Sequence, residues 1–237
     1  MGNIFQFKQF SVDQTGCAMK INTDGVLLGA LTEAKNPESI LDIGTGTGVI
    51  ALMLAQRFTS AQIDAVEIDA VAANTAAMNF KNSSFAGRLE VFPLAIEDFF
   101  DKHPGRRYDL IVSNPPFHIN SLLSPKAKKS LAKHTGDMFF EELISGVAQH
   151  LATGGLFWLI LPLEAAELVK GLAAKAGLYL RSKISIYSFE DSEPHREILV
   201  FGSENIETEI SRFVIYAEVN VYSAEYKQIL KPYFIAF

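Results

Sequence analysis

The stretch Ser39-Ile40-Leu41-Asp42-Ile43-Gly44-Thr45-Gly46-Thr47-Gly48 joins a short apolar run to a loop in which every second residue is glycine. The apolar run predicts a buried strand, and the residues that follow carry apolar side chains at helical spacing from Ile50 to Phe58. Glycines at such a junction allow a tight turn and let a ligand approach the backbone at the start of a helix. The stretch therefore predicts a strand, a ligand-binding loop and a helix.

Strands and helices continue to alternate after this unit. Further strands are predicted at 63–68, 88–94, 110–113, 156–161, 183–189 and 197–202. Helices are predicted at 69–80 and 164–176, and a third should begin with Asp137 as its N-cap, bury Phe140, Leu143, Ile144, Val147 and Leu151, and stop at Gly154-Gly155. Such alternation predicts an α/β, Rossmann-like sheet that is mostly parallel, with helices on both faces and ligands at the carboxyl ends of the strands.

Composition predicts one globular domain that spans residues 1–237, with 49% hydrophobic and 20% charged residues. The amino terminus lacks the features of a signal peptide, and no apolar run approaches the roughly 18 residues that cross a bilayer, so we expect a cytoplasmic protein without membrane contact. The single Cys17 excludes an internal disulfide and a cysteine-based metal site, and we expect no metal. The sequence does not determine the oligomeric state, and we expect a monomer.

Net charge is −6, which by itself does not favour nucleic-acid binding. The charges are unevenly spread, because residues 110–136 contain no acidic residue. Four lysines fall in that interval, at Lys126, Lys128, Lys129 and Lys133. They indicate either a phosphate-binding surface or a solvated helix face.

Acidic residues stand at three predicted strand ends. Glu67 closes the second strand, where a carboxylate can accept hydrogen bonds from a ribose diol. Asp98, beside Glu97 after the third strand, could meet an adenine amino group, although both acids could equally cap the next helix. Asp42 could hold a cation directly or through water, such as the ammonium of S-adenosylmethionine. A nicotinamide dehydrogenase is disfavoured. Its G-x-G-x-x-G pattern would require the third glycine at position 49, but here the third glycine is Gly48 and Val49 follows it.

Asn114-Pro115-Pro116-Phe117 directly follows the strand at 110–113. An exocyclic amino group on an aromatic base is a poor nucleophile, because its lone pair is delocalised into the ring. The Asn114 side-chain oxygen and the Pro115 carbonyl can accept its two N–H bonds, and Phe117 offers a face on which a base stacks. The alternative is a rigid turn with a core phenylalanine.

The glycine loop together with Asn114-Pro115-Pro116-Phe117 resembles the class I, S-adenosylmethionine-dependent amino-methyltransferases. Further segments resemble the bacterial family that makes N6-methyladenine beside the anticodon of a valine tRNA. These segments are Phe7-Lys8-Gln9-Phe10, Cys17-Ala18-Met19-Lys20-Ile21, Thr23-Asp24-Gly25-Val26-Leu27-Leu28-Gly29 and Leu131-Ala132-Lys133-His134-Thr135. Matches extend from near residue 5 to about residue 202, which is most of the chain.

The resemblance implies a seven-stranded sheet with an antiparallel strand near the C-terminus, and residues 1–38 as an extension that covers the cofactor site. It implies catalytic roles for Asn114, Pro115 and Phe117. It implies cofactor contacts at Asp42, Gly44, Gly46, Gly48, Glu67, Asp98, Lys20 and Asp24. It further implies that Lys126, Lys128, Lys129 and Lys133 hold the tRNA anticodon loop, and that the methyl group goes to adenine N6.

Two departures and several alternatives remain. Relatives often have tyrosine where Phe117 stands, and arginine is more usual where Lys129 and Lys133 stand. The lysines put the affinity for tRNA in question more than the chemistry.

The same chemistry could act on guanine N2 of ribosomal RNA or on a protein glutamine. The chain could also be a non-catalytic RNA-binding relic of the fold. We interpret His103, His150 and His195 as ordinary polar or core residues.

Overall fold

The structure is a computed structural model that describes residues 3–17, 19–115 and 125–237. For residues 125–137 it describes the backbone alone. Phe117 and the side chains of the four predicted tRNA-binding lysines therefore lie outside the described residues.

Twelve strands and seven α-helices lie in the described ranges. The strands are β1 (Ile4–Gln6), β2 (Ser11–Asp13), β3 (Ser39–Ile43), β4 (Gln62–Val66), β5 (Leu89–Phe92), β6 (Tyr108–Ser113), β7 (Leu151–Leu161), β8 (Tyr179–Tyr187), β9 (Pro194–Gly202), β10 (Glu209–Val214), β11 (Tyr216–Glu218) and β12 (Val221–Tyr222). The helices are α1 (Thr23–Leu31), α2 (Val49–Arg57), α3 (Ala70–Lys81), α4 (Ile96–Lys102), α5 (Pro125–His150), α6 (Leu163–Lys175) and α7 (Ala224–Leu230).

The central sheet has eight strands in the order β10-β8-β9-β7-β6-β3-β4-β5. β3 lies between β4 and β6 and is parallel to both, with Leu41 paired with Asp64 on one side and Ile111 on the other. The chain runs from β3 through β4 to β5 and then returns to the opposite side of β3 as β6. Ligands of such sheets bind at the carboxyl ends of the strands where the order reverses, which here is the end of β3 and β6.

One strand of the central sheet is antiparallel. β9 runs antiparallel to β7 and β8, whereas β10 pairs parallel to β8. The predicted class, an α/β sheet that is mostly parallel with an antiparallel strand near the C-terminus, is confirmed. The expected count of seven strands is one too few. The eighth strand is β10, which pairs with β8 at the edge of the sheet and lies in a C-terminal segment whose role the sequence does not predict.

Apolar side chains on the two sides of the sheet form two core clusters. Successive residues of a strand point to opposite faces, so Ile40 and Leu110 join one cluster while Leu41 and Ile111 join the other. α1, α2, α3 and α7 contribute to the first cluster, and α4, α5 and α6 contribute to the second. Helices therefore cover both faces as predicted. None of the described helices combines the length and the apolar character needed to cross a membrane.

The helix before β7 differs from the prediction at both ends. α5 begins at Pro125, so Asp137 lies inside the helix and is not its N-cap, and Leu151 already belongs to β7. The two glycines expected to stop the helix lie inside β7, and a Cβ at Gly155 would stand 2.9 Å from the Tyr108 carbonyl oxygen. Gly155 therefore serves the close pairing of β7 with β6, and neither glycine ends α5. The predicted apolar face is otherwise confirmed, because Phe140, Leu143, Ile144 and Val147 are buried.

The two ends of the described chain pack together. Phe7 forms an antiparallel bridge with Phe234, and the Lys8 ammonium donates to the carbonyl oxygens of Lys231 and Phe237 at 2.6 and 2.8 Å. The rings of Phe5 and Phe7 lie 5.6 Å from the ring of Phe234. The C-terminal segment thus anchors the β1–β2 hairpin.

Candidate active site

The loop between β3 and α2 turns at three glycines with positive φ, Gly44 (71°), Gly46 (58°) and Gly48 (86°). The Gly44 amide donates to the carbonyl oxygen of Val66 at the end of β4 (2.9 Å). A Cβ at Gly48 would lie 2.4 Å from the ring of Phe80, whereas one at Gly44 or Gly46 would have no heavy atom within 4 Å. Packing therefore requires glycine at position 48, while the other two leave open space beside the loop.

Asp42 lies beneath this loop with no exposed surface. Its Oδ2 accepts hydrogen bonds from the Thr45 hydroxyl (2.6 Å) and the Ala51 amide (3.1 Å), and its buried Oδ1 has no partner among the described residues. Burial raises the pKa of Asp42 to about 7, and the charge of Glu67 adds to this rise while the two hydrogen bonds oppose it. Asp42 holds the turn from inside and keeps one acceptor oxygen unused.

Glu67 follows β4 and braces the loop from the other side. Its Oε2 accepts from the Gly46 amide and its Oε1 from the Asp69 amide, both at 2.9 Å. A carboxylate has about four acceptor positions, so the half-buried Glu67 keeps capacity for a ligand. The next side chain, Ile68, is 74% exposed, which puts an apolar surface beside this carboxylate.

Glu97 and Asp98 lie in the first turn of α4, where negative charge favours the helix. Asp98 is exposed and Glu97 is half-buried. The predicted contact of Asp98 with a cofactor remains a prediction, as does the alternative that both acids act on the helix alone.

Asn114 and Pro115 end β6 beside the end of β3. The buried Ser113 hydroxyl donates to the carbonyl oxygen of Ile43 at 3.0 Å, which ties the two strand ends together. Asn114 is half-buried and Pro115 is buried, and both line a cavity of about 550 Å³ that we call the Asn114 cavity. The start of α1 lies next to it, since a Cβ at Gly25 would stand 3.4 Å from Asn114 Nδ2.

Residues from the second half of the chain also line the Asn114 cavity. Ser188, His195, Arg196 and Tyr216 line it, together with Asp24 from α1. Arg196 Nε donates to Asp24 Oδ2 at 2.8 Å, so an ion pair joins α1 to β9. Asp24 is therefore held at the cavity wall by an arginine that the sequence analysis did not identify.

His195 is a second residue that the sequence analysis missed. It was interpreted as an ordinary polar or core residue, yet it lines the same cavity as Asn114. No motif or spacing in the sequence connects residue 195 with residue 114, because the two meet only when β9 is inserted into the sheet beside β7.

The N-terminal segment is tied to the glycine loop through Asn79 of α3, which is 4% exposed. Its Oδ1 accepts from the Asp13 amide (2.9 Å), and its Nδ2 donates to the carbonyl oxygens of Asp13 (3.0 Å) and Thr47 (2.9 Å). Gly16 also approaches α3, where a Cβ would stand 3.8 Å from Val71. One buried carboxamide therefore links the segment before α1 to the loop.

The remaining predicted residues are less informative. Lys20 is exposed in the segment that leads to α1. Lys126, Lys128, Lys129 and Lys133 belong to α5, but their side chains and the whole of Phe117 lie outside the described residues. In the described ranges, no group of three or more His, Cys, Asp or Glu side chains is arranged to hold a metal ion.

A larger cavity of about 720 Å³ lies elsewhere, between the C-terminal ends of α1 and α2 and the amino-terminal half of β7. Arg57, Trp158 and Arg181 line it. None of the predicted site residues that the structure describes contributes to it, so its size does not make it the candidate active site.

The fold and site define a class of protein. A glycine loop lies where the strand order reverses in a mostly parallel sheet, and an Asn-Pro pair ends the neighbouring strand. This is the Rossmann-like α/β class, whose ligands bind at the carboxyl ends of the strands. Within that class, the chain belongs to the family described as the methyltransferase small domain, whose model matches residues 22–168.

Curated relatives match the chain over nearly its whole length. A protein of Pedobacter heparinus named tRNA1(Val) (adenine(37)-N6)-methyltransferase is 49% identical over 237 residues, covering 100% of both chains. A protein of Bacteroides fragilis with the same name is 39% identical and covers 98% of this chain and 97% of its own.

Solved structures confirm the fold alone, because their sequence identity is low. A predicted O-methyltransferase from Agrobacterium tumefaciens matches with a TM-score of 0.68 and 15% identity, covering 89% of this chain and 96% of its own. TrmN from Thermus thermophilus matches with a TM-score of 0.55 and 20% identity, covering 75% of this chain and 47% of its own.

Proposed function

We propose that this chain transfers a methyl group from S-adenosylmethionine to the N6 amino group of adenine 37, beside the anticodon of a valine tRNA. The observation that carries the proposal is the position of Asn114 and Pro115 at the end of β6, directly beside the strand that leads into the glycine loop. A methyl donor in the loop crevice and an amine held by this pair would meet at one edge of the sheet. The full-length relatives named for adenine 37 support this choice of substrate.

The crevice beside the loop fits S-adenosylmethionine. The buried Oδ1 of Asp42 has no partner among the described residues and can accept from the methionine ammonium or from a water that joins them. The open space at Gly44 and Gly46 leaves room for the ligand, and Glu67 has acceptor capacity for the ribose diol. The exposed Ile68 offers an apolar surface to the adenine ring. When bound, the cofactor supplies a methyl carbon on an electron-poor sulfonium.

Asn114 and Pro115 act on the amine. Their oxygens accept the two N–H bonds of the adenine amino group, so the nitrogen becomes pyramidal and its lone pair leaves the ring. With S-adenosylmethionine bound, this nitrogen would take the methyl group from the sulfonium, which would leave as a neutral thioether, and the surplus proton would leave to water. Phe117 is proposed to stack on the base, in keeping with the resemblance. A base in an anticodon loop is cheaper to unstack than one in a duplex, which suits this site to tRNA.

We further propose that residues 1–38 cover the cofactor as part of one domain. The segment contacts α3 because the backbone of Asp13 is hydrogen-bonded to Asn79. Further along, the Asn22 side chain caps α1 by accepting from the Gly25 amide, and Gly25 lies beside Asn114. It thus contacts both sides of the crevice. Lys20 lies exposed along this path, where it can meet the cofactor or the tRNA.

The lysines of α5 are proposed to hold the tRNA backbone. The support is the interval without acidic residues at 110–136, which concentrates positive charge on a chain whose net charge is −6. Lys126, Lys128, Lys129 and Lys133 would each contact phosphate as a point charge, since lysine lacks the bidentate geometry of arginine.

The variant Asn114→Ala tests the proposed function. We expect methylation of a valine tRNA transcript to fall at least about 100-fold, because removing one preorganised hydrogen-bond partner of a transition state costs about that much. Mass spectrometry of the tRNA nucleosides gives the product, and calorimetry with S-adenosylmethionine should show unchanged binding.

Asn205→Ala is the matched control, because Asn205 is exposed in the connection between β9 and β10. If Asn114→Ala methylated the tRNA at the wild-type rate, the chemical role assigned to Asn114 would be wrong. Product on guanine instead of adenine would favour a guanine N2 enzyme. Failure of the wild-type protein to bind S-adenosylmethionine would favour a non-catalytic RNA-binding protein.

A further inference from the structure

The Asn114 cavity has a wall for which the proposed chemistry gives no role. Asn114 and Pro115 account for the amino group of the substrate base, but His195, Arg196 and Tyr216 line the same cavity. A purine held by its amino group in this cavity would have these residues within the same cavity as its remaining edges.

The Asp24–Arg196 ion pair fixes this wall in place. Asp24 and Arg196 are separated by 172 positions in the chain and are joined by a hydrogen bond of 2.8 Å between largely buried side chains. Arg196 Nη1 also donates to the carbonyl oxygen of His195 at 2.9 Å. The backbone of His195 is therefore held by an arginine that is itself anchored to α1, the helix that begins beside Asn114.

The His195 side chain has unused hydrogen-bonding capacity. Its Nδ1 has no hydrogen-bond partner among the described residues and is itself buried, so the other ring nitrogen, Nε2, is the one left for a ligand in the cavity. Burial lowers the pKa of His195 below its ordinary value, and the charge of Arg196 lowers it further while that of Asp24 opposes the change. These effects favour the uncharged ring, which has one N–H donor and one acceptor nitrogen. A neutral ring suits a base edge better than a phosphate.

We propose that His195 contacts the target adenine by donating a ring N–H to one of the ring nitrogens of the base, and that the Asp24–Arg196 pair positions it. This inference rests on the proposed function. Because Asn114 and Pro115 take the two amino protons, the ring nitrogens are the acceptors that the base has left. The two hydrogen bonds to the amino group meet at a single nitrogen and leave the base free to swing about it. A hydrogen bond from His195 to a ring nitrogen would fix the orientation of the base.

The experiment removes each partner of the proposed hydrogen bond in turn. Transcripts of the valine tRNA carry adenine, 1-deazaadenine, 3-deazaadenine or 7-deazaadenine at position 37, and wild type and His195→Ala are compared on each. We expect one analogue to lower kcat/KM of the wild type by about tenfold, which corresponds to the loss of one hydrogen bond. The same analogue should change kcat/KM of His195→Ala less than about twofold, because the interaction is already absent.

The control is Glu193→Ala, an exposed residue on the turn between β8 and β9 that does not line the cavity. Its response to each analogue should equal that of the wild type. S-adenosylmethionine should bind His195→Ala as it binds the wild type. For Arg196→Gln we expect a higher KM for tRNA with unchanged S-adenosylmethionine binding, because the ion pair acts through His195.

The outcomes separate the two proposals. Suppose that the wild type methylates the adenine transcript, and that each analogue lowers kcat/KM of the wild type and of His195→Ala by the same factor. The proposed contact then does not exist. If Arg196→Gln leaves the KM for tRNA unchanged, the Asp24–Arg196 pair does not position His195 and the positioning role is wrong. If the wild type methylates no adenine transcript, the proposed function itself fails.

Discussion

The glycine-loop crevice and the Asn114 cavity lie at the same edge of the sheet, yet they are built differently. Most residues that shape the crevice fall within one stretch, from Asp42 to Glu67. The carboxylates at its two ends accept hydrogen bonds from backbone amides 9 and 21 positions away in the chain. The walls of the cavity come from α1, the end of β6, β9 and β11, and an ion pair between positions 24 and 196 joins two of them.

The difference follows from what each region has to bind. A ligand that lies against backbone needs glycine and a tight turn, and those requirements are met by neighbouring residues. A cavity for a base needs side chains that converge from several directions, and these can come from any part of the chain. Changes in the crevice should therefore act on stability and cofactor binding together, whereas changes in the cavity should act on tRNA alone.

The largest effect is expected for Gly48→Ala. The new methyl group would stand 2.4 Å from the Phe80 ring at a residue with φ of 86°, so the variant should lose about 2–5 kcal/mol of the free energy of unfolding. Gly44→Ala shares a positive φ but meets open space, and it should lose only about 1–2 kcal/mol. Urea unfolding measures both, and equal losses would mean that contact with Phe80 is not what requires glycine.

A smaller effect is expected for Asn79→Ala, which removes the link between the N-terminal segment and the loop. The loss of three hydrogen bonds, one buried and two partly buried, should lower the free energy of unfolding by about 1–3 kcal/mol and weaken S-adenosylmethionine binding. Asn74→Ala, at an exposed position of the same helix, is the control. Calorimetry should show weaker binding for Asn79→Ala alone. Unchanged binding with reduced stability would mean that Asn79 holds the segment without affecting the cofactor site.

The smallest effect concerns the protonation of Asp42. Its pKa in the folded protein, about 7, exceeds the unfolded value of 3.8, so its contribution to stability is fully present below the unfolded value and is lost as pH rises through about 7. An ammonium ligand favours the ionised form. S-adenosylmethionine should therefore bind about tenfold more tightly at pH 7 than at pH 5.5, and binding should weaken again near pH 8, where an α-amino group loses its own proton.

Calorimetry in buffers of different ionisation enthalpy tests this at pH 6. Wild type should release a proton on binding S-adenosylmethionine, because Asp42 is mostly protonated before and ionised after. Asp42→Asn should release none and should show no rise in affinity between pH 5.5 and 7. Equal proton release by both proteins would assign the titration to a group other than Asp42.

Much of the fold could be predicted because the relevant signals are local. The strands and helices from residue 39 to residue 113 follow from apolar periodicity and from glycines at the turns, and the structure confirms their alternation. The prediction failed at α5, where Asp137 and the two glycines carry the ordinary signals of helix ends but lie in a helix interior and in β7. A local signal is overridden there by the pairing of β7 with β6. β10 was also missed, because it gains its place only by adding to β8.

The sequence by itself determined the α/β class, the glycine loop with Asp42 and Glu67, and the Asn114-Pro115 strand end, since each depends on residues that are neighbours in the chain. Only the tertiary structure decided that Asp24 pairs with Arg196, that His195 reaches the Asn114 cavity, and that Asn79 joins the N-terminal segment to the loop. The physical reason is distance along the chain. A turn is shaped by its own residues, but a contact across 172 positions exists only after the sheet has brought its strands together.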